Sequence, residues 1–339
     1  TSSTWYLGGF GRGVRHSTDG GKNWNLCNDG LTDLNVASFV TIPAPGDSSQ
    51  ILFAGTYGGG VFRSDDDGMH WVLSSSGLDD LHVYALIAHG DTLYAAHSGG
   101  RVSRSSDTGT TWAPLGTGLP YTDVISLAQI SSGEDRYVYA GTIDRGVWRY
   151  SKAGGSWEPV NEGLRDLRIN SIAVKGNVLF VATDHRIYRS CNLGVSWQLA
   201  DWGARPSVNS IFAASFSSGE PTTRLFLLTT NHYYFSDLYT DSPDPYSAVC
   251  RTDDLGQTWT TTPFRPRVGG PPSRFEYFAL HYNDCFLLFN EAWGERGHLR
   301  CLLSTDRGTS WGDPSGLVGF RYGGLNGAIL RGVPSEQRF

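Results

Sequence analysis

One eight-residue pattern recurs along this chain: a hydroxyl residue, an Asp or Asn two places on, a Gly two further, and a Trp three beyond that. It is carried by Ser17, Asp19, Gly21 and Trp24; by Ser64, Asp66, Gly68 and Trp71; and by Ser105, Asp107, Gly109 and Trp112. It returns in Ser190, Asn192, Gly194 and Trp197, in Thr252, Asp254, Gly256 and Trp259, and in Ser304, Asp306, Gly308 and Trp311. A degenerate copy, without the acidic residue, runs from Ser151 through Gly155 to Trp157. Self-similarity of this kind is the mark of a solenoid, a propeller or an array.

Each copy follows a short alternating run such as Val61 to Arg63 and precedes another such as Trp71 to Leu73, which makes it a hairpin turn. The Asp or Asn is expected to accept hydrogen bonds from backbone amides two residues on, and the Gly to supply a positive φ at little steric cost. The Trp is expected to start the outgoing strand and to bury its ring between neighbouring sheets. A calcium loop of the EF-hand kind needs a longer acidic ladder ending in Glu. The pattern therefore reads as a fold-stabilising turn.

Trp-to-Trp spacings of 47, 41, 45, 40, 62 and 52 residues match the forty-odd residues of a four-stranded propeller blade. A second pattern lies between the turns: Gly30-Leu31 to Val36, Gly77-Leu78 to Val83, Gly118-Leu119 to Val124 and Gly163-Leu164 to Ile169. It reads as the connection from an outer strand into the inner strand of the next blade. One blade is then Val36 to Ile42, Ile51 to Thr56, Gly60 to Arg63, the turn, and Trp71 to Ser75. The chain opens on a second strand, Trp5 to Phe10, and Leu325 to Val333 offers the missing inner one. The expected fold is all-β: a seven-bladed β-propeller of residues 1–339, one domain, with its ring closed by a C-terminal strand joining the N-terminal blade. Such closure is expected to leave no open sheet edge.

Composition supports sheets and turns, with 43 Gly and 11 Trp against 1 Met and no long helical period. No apolar stretch approaches the length of a membrane span, so a soluble protein is expected. A net charge of −6 argues against a nucleic-acid partner, which needs a basic face. The 5 Cys, at positions 27, 191, 250, 285 and 301, lack metal-site spacing; most read as buried small residues, and a Cys285–Cys301 disulfide is conceivable. No metal and no cofactor are expected. The first residue, Thr1, suggests removal of a targeting peptide or a trimmed chain, and an extracellular or periplasmic location is the expectation.

Function is expected on the face opposite the Asp turns, where loops vary on a rigid scaffold. Those loops carry Arg12, Tyr57, His97, Asp144 with Arg145, and Asp184 with His185 and Arg186. Two segments outgrow the repeat, 231–245 and 290–298, and supply His232, Tyr233, Asp237, Glu291, Trp293, Glu295 and Arg296. Aromatic faces beside carboxylates suit a hydroxylated sugar ring, stacked on one side and hydrogen-bonded at its edges. A solvated loop with its own packed aromatics is the plainer alternative. Arg265, Arg267 and Arg274, with Arg321 and Tyr322 before the closing strand, form a basic set suited to carboxylates. Asn35, His82, Asp123, Arg168 and Asn209 open the inner strands and suit the mouth of a wet central channel.

The turns resemble the Asp-box, or BNR, repeats shared by sialidases, xyloglucanase-type glycoside hydrolases, sortilin-type receptors and the photosystem II assembly factor group. The resemblance covers essentially the whole chain and implies the propeller fold. A sialidase would bring an arginine triad, a Tyr nucleophile with Glu, an Asp acid/base and an early Arg-Ile-Pro motif. Here the nearest string is the late Arg265-Pro266-Arg267. Gly55 to Ser64 is similar to xyloglucanase-type repeats, a family with two seven-bladed domains around a cleft and a catalytic Asp pair. Only one ring fits this length. The assembly-factor group, a single ring that binds protein through one face, fits it by size.

Two functions follow. The first is a carbohydrate-binding or carbohydrate-processing propeller, with a carboxylate pair among Asp237, Asp241, Glu291 and Glu295 as candidate acid and base or nucleophile. A lyase variant would instead use His232, a Tyr and an Arg on a uronate. Its ligand-binding residues would be Tyr57, His97, Arg145, Asp184, Arg186, Tyr233, Trp293, Arg296, Arg321 and Tyr322, and its partner an oligo- or polysaccharide. The second is a non-enzymatic scaffold whose exposed aromatics and arginines anchor a protein partner on the same face. A deep pocket of convergent carboxylates favours the first, and a broad face with scattered anchors the second.

Overall fold

The computed structural model describes residues 5–9, 11–18, 23–44, 49–132, 135–184 and 186–200, and beyond them the segments 207–214, 224–230, 248–252, 254–263, 278–282, 285–290, 300–304 and 329–331. Every regular element among them is a strand. The strands run β1 (Trp5–Gly9), β2 (Gly13–Ser17), β3 (Asn25–Leu26), β4 (Val36–Pro43), β5 (Gln50–Thr56), β6 (Gly60–Ser64) and β7 (Val72–Leu73). Next come β8 (Val83–His89), β9 (Thr92–His97), β10 (Arg101–Ser105), β11 (Ala113–Pro114), β12 (Val124–Ser132), β13 (Asp135–Thr142), β14 (Val147–Ser151) and β15 (Trp157–Pro159). Then follow β16 (Ile169–Lys175), β17 (Val178–Thr183), β18 (Ile187–Ser190), β19 (Gln198–Leu199), β20 (Ser207–Ala214), β21 (Arg224–Thr230), β22 (Ala248–Thr252) and β23 (Thr260–Pro263). The remaining four are β24 (Phe278–Tyr282), β25 (Cys285–Asn290), β26 (Arg300–Ser304) and β27 (Ile329–Arg331).

They assort into antiparallel meanders of four: β4 to β7, β8 to β11, β12 to β15, β16 to β19 and β20 to β23, with β24 to β26 forming a three-stranded sheet. The remaining sheet has the order β27-β1-β2-β3, and Tyr6 lies opposite Leu330 in it. First strands of successive sheets lie side by side, β4 against β8, β8 against β12, β12 against β16 and β16 against β20. Apolar residues from facing sheets fill the space between, as Ile42, Phe53 and Val61 do with Val83, Leu93 and Trp112. Fourth strands are shorter than the sequence suggests, β7 holding only Val72 and Leu73, both exposed. Each sheet thus keeps an outer edge, and its shortness limits edge-to-edge pairing.

Two repeat motifs interlock between sheets. The Trp rings are buried, and the indole N–H of Trp71, Trp112, Trp157 and Trp197 donates to Cys27, Ser74, Leu115 and Val160 of the preceding sheet at 2.6–2.9 Å. Their backbone N–H groups donate to Asp29, Ser76, Thr117 and Glu162. Each acceptor precedes the Gly of the second motif, and that Gly packs on the Trp backbone. A Cβ on Gly77, whose φ is +88°, would lie 2.2 Å from the Trp112 carbonyl oxygen.

The Asp turns work differently from the sequence expectation. Ser64 Oγ accepts from the Gly68 N–H, while Asp66 accepts from the His70 N–H four residues on, not two, because the turn carries two consecutive left-handed residues. The first of these is not glycine: Asp67, Thr108, Leu193 and Leu255 all have φ near +58°. A preceding sheet holds the carbonyl of each. Tyr6 Oη donates to Asp67, Arg63 to Thr108, Tyr139 and Arg149 to Leu193, and Arg189 to Leu255.

The conceivable Cys285–Cys301 disulfide does not fit the register, in which Cys301 lies opposite Phe289, four positions along β25 from Cys285. That offset is about 13 Å along a strand, beyond the reach of a disulfide. Cys27 is buried and Cys191 exposed, and both are free thiols.

Candidate functional site

The face opposite the Asp turns is built by the second-to-third-strand turns and by the connections entering each first strand. In those connections an Asp side chain takes the backbone N–H two residues on: Asp33 from Asn35, Asp80 from His82 and Asp166 from Arg168. Asp33 also accepts from the Gly59 N–H of its own sheet's turn, and Asp80 accepts from the Ser98 hydroxyl. Burial works to raise the Asp80 carboxyl, but the bonds from Ser98 and from the His82 N–H and ring together hold it below the usual range.

A bulge follows the first residue of β4, β8, β12 and β16, re-aiming the next side chain. In β8 that residue is Tyr84, which donates to Asp123 Oδ2 at 3.1 Å, while Asp123 Oδ1 accepts from the Gly99 N–H. Tyr57 stands edge-on to both His82 and Tyr84, with ring centroids 5.3 Å apart. Its hydroxyl lies 3.4 Å from that of Tyr84. Burial, then the Tyr57 hydroxyl and the Asp123 charge, push the Tyr84 phenol well above its ordinary range, so it stays a donor. In β16 the bulged residue, Asn170, donates to Asp184, which also pairs with Arg168 at 3.3 Å.

Of the residues expected to bind ligand, Tyr57 is therefore part of an aromatic cluster spanning two sheets, which Tyr84 ties to Asp123 of a third, and is 39 % exposed. Arg145 is exposed and pairs loosely with Asp144, which accepts from Thr122. Arg186 is exposed, and its backbone closes a turn on Thr183. His97 is not on an exposed loop: it ends β9, is 1 % exposed, and neither ring nitrogen makes a hydrogen bond. It stands where three other sheets have Thr56, Thr142 and Thr183, whose hydroxyls cap the turn. Burial lowers its pKa to about 4. His232, Tyr233, Asp237, Asp241, Glu291, Trp293, Glu295, Arg296, Arg321 and Tyr322 lie outside the described residues, as do Arg265, Arg267 and Arg274.

Sequence reasoning passed over three leucines. Leu34, Leu81 and Leu167 occupy one position of the connecting motif and are 36 %, 43 % and 42 % exposed on this face. Tyr121, in the corresponding connection before β12, is 90 % exposed. Nothing in the Gly-Leu-x-Asp-Leu pattern separates this exposed Leu from the first one, which packs against the core as Leu31, Leu78 and Leu164. Among the described residues no group of His, Cys, Asp and Glu is arranged to hold a metal ion, and no helix is long and apolar enough to cross a membrane.

No family model matches the chain, and neither does any curated protein. Among solved structures it resembles YCF48 bound to D1 peptide, with 18 % identity and a TM-score of 0.57 over 86 % of this chain and 87 % of that one. It also resembles the GH74 xyloglucanase of Xanthomonas campestris, with 18 % identity and a TM-score of 0.57 over 85 % of this chain and 46 % of that one. The GH74 enzyme of Niastella koreensis matches at 15 % identity and a TM-score of 0.52 over 91 % of this chain and 56 % of that one. The chain spans about half the length of these GH74 enzymes. These likenesses speak for the fold: an all-β chain of four-stranded antiparallel sheets arranged as in propellers.

Proposed function

We propose that the chain is one seven-bladed ring, closed by β27 on β1, that binds a polypeptide through the face opposite the Asp turns and does not hydrolyse it. The observation that carries this reading is the division of labour on that face. Asp33, Asp80, Asp123, Asp144, Asp166 and Asp184 are all engaged in internal hydrogen bonds. Beside the exposed carboxylates of Asp79 and Asp144, each paired with an Arg, the face exposes apolar, aromatic and cationic side chains: Leu34, Leu81, Leu167, Tyr57, Tyr121 and Arg145. Leucines repeated at one position suit a protein surface better than a sugar. A propeller of similar span, YCF48, has been solved with a peptide bound.

The sugar-binding reading keeps one observation in its favour, the Tyr57–Tyr84–Asp123 group, in which an exposed ring adjoins a carboxylate. Peptide and glycan arrays probed with wild-type protein and with Leu81→Asp/Leu167→Asp separate the two. Peptide binding that falls at least about tenfold in the variant, with no release of reducing sugar from polysaccharides, is expected. Glycan binding indifferent to the leucine changes, or polysaccharide cleavage, contradicts the proposal.

A further inference from the structure

Successive sheets place equivalent residues at equivalent register, so a small residue where the others carry a large one stands out. In three sheets the residue after the first Val or Ile of the third strand is aromatic: Phe62, Trp148 and Tyr188, which lie opposite Ala54, Ala140 and Val181 of the second strand. Each packs into the same core as the first leucine of the connection entering its own sheet, Leu31, Leu119 and Leu164. Tyr188 reaches furthest, and its hydroxyl accepts from the backbone N–H of Arg165, the residue after Leu164. In β2 the position holds the long side chain of Arg15, opposite Leu7.

In β10 the same position is Ser103, opposite Ala95. Asp79, the residue after Leu78, is the counterpart of Arg165, so the place between strand and connection lacks its ring. A cleft of about 290 Å³ opens there, with Asp79 and Ser103 both in its wall beside Val102, Pro114, Leu115 and Leu119. An apolar cavity of about 150 Å³ already takes a benzene ring. Ser103 is 3 % exposed, and its hydroxyl has no hydrogen-bond partner among the described residues. At the mouth the Arg101 guanidinium turns to Asp79 at 3.2 Å, and both side chains are exposed. The entrance thus carries one charge of each sign, already paired.

We infer that this cleft takes the side chain of a tyrosine from a bound polypeptide, its ring in the place that Phe62, Trp148 and Tyr188 fill in their own sheets and its hydroxyl against Ser103 Oγ. A serine hydroxyl both donates and accepts, so it pairs with a phenol in either sense. Phenylalanine would leave Ser103 buried without a partner, and a charged side chain would meet its like at the Arg101–Asp79 pair and lose its water inside. The cleft opens on the same face as Leu81, two residues beyond Asp79. The inference therefore rests on the reading of that face as polypeptide-binding and adds the side chain it selects.

The test is amide-resolved NMR of the whole protein titrated with N-acetyl-tyrosine methylamide, and in parallel with the phenylalanine and leucine analogues and with p-cresol. Saturable shifts at Asp79, Val102 and Ser103 are expected, with tyrosine about fivefold tighter than phenylalanine and at least about tenfold tighter than leucine. Ser103→Phe, which supplies the ring from within as Phe62 does, is expected to abolish the response to the tyrosine probe and to raise the unfolding temperature. Wild-type protein without shifts at these amides, or with equal affinity for the leucine analogue, overturns the inference whether or not that variant folds. A folded Ser103→Phe that still responds overturns it too. Binding of p-cresol at least as tight as that of the tyrosine probe would assign the cleft to a free phenol and overturn the polypeptide source. Leucine-dependent peptide binding by a protein silent to the tyrosine probe sinks this inference alone, whereas a tyrosine response in a protein whose arrays show no peptide binding sinks the reading of the leucine face and not the cleft.

Discussion

At the scale of single residues, the fold is held by positions whose roles differ although their sequence signals are alike. Gly77 and Gly90 both have positive φ, yet a Cβ on Gly77 would meet the Trp112 carbonyl while one on Gly90 would meet nothing within 4 Å. Gly77→Ala is therefore expected to cost more than about 2 kcal/mol in urea unfolding, and Gly90→Asn less than about 0.5. His97 is the other telling residue. Its folded pKa of about 4 lies below the value of 6.5 for a free side chain, so the unfolded chain binds the extra proton first. Stability is then fully present above pH 6.5 and falls as pH drops toward 4, by on the order of 3 kcal/mol at the limit. His97→Thr, which installs the turn-capping residue of three other sheets, is expected to flatten that slope. An unchanged pH profile of the unfolding midpoint would place the proton uptake elsewhere.

Elements cohere through bonds that cross from one sheet to the next rather than through any one sheet's ladder. The Trp112 indole N–H, 2.7 Å from the Ser74 carbonyl, joins β11's turn to the preceding sheet. Trp112→Phe keeps most of the apolar burial and strands that carbonyl, so a loss of about 1–3 kcal/mol is expected from thermal or denaturant unfolding. A loss near zero would mean the ring's packing alone joins the sheets. This is also the scale at which the sequence was most legible. Spacing of the Asp, Gly and Trp residues marked the turns, and alternation marked β4, β5 and β6 to within a residue. The left-handed backbone at Asp67, Thr108, Leu193 and Leu255 was not legible, because those residues share no chemistry. What they share is a carbonyl taken by Tyr or Arg from a preceding sheet, 45 to 66 residues away in sequence.

For the molecule as a whole, the leucines of the connecting motif matter because a common position in successive sheets brings them to one face. Their exposure could not be read from the pattern, in which they look like core residues. The catalytic reading drew on segments 231–245 and 290–298, whereas the described face offers carboxylates already committed to holding its loops. Everything on that face depends on the sheets forming a circle that the chain's two ends close. The direct test is a cysteine pair at register partners of β1 and β27, Trp5→Cys with Arg331→Cys in a Cys191→Ser background. Mild oxidation is expected to give an intrachain disulfide, seen as faster migration without reductant and a raised unfolding temperature. A chain that stays reduced, or that links only to other chains, would contradict the closed ring.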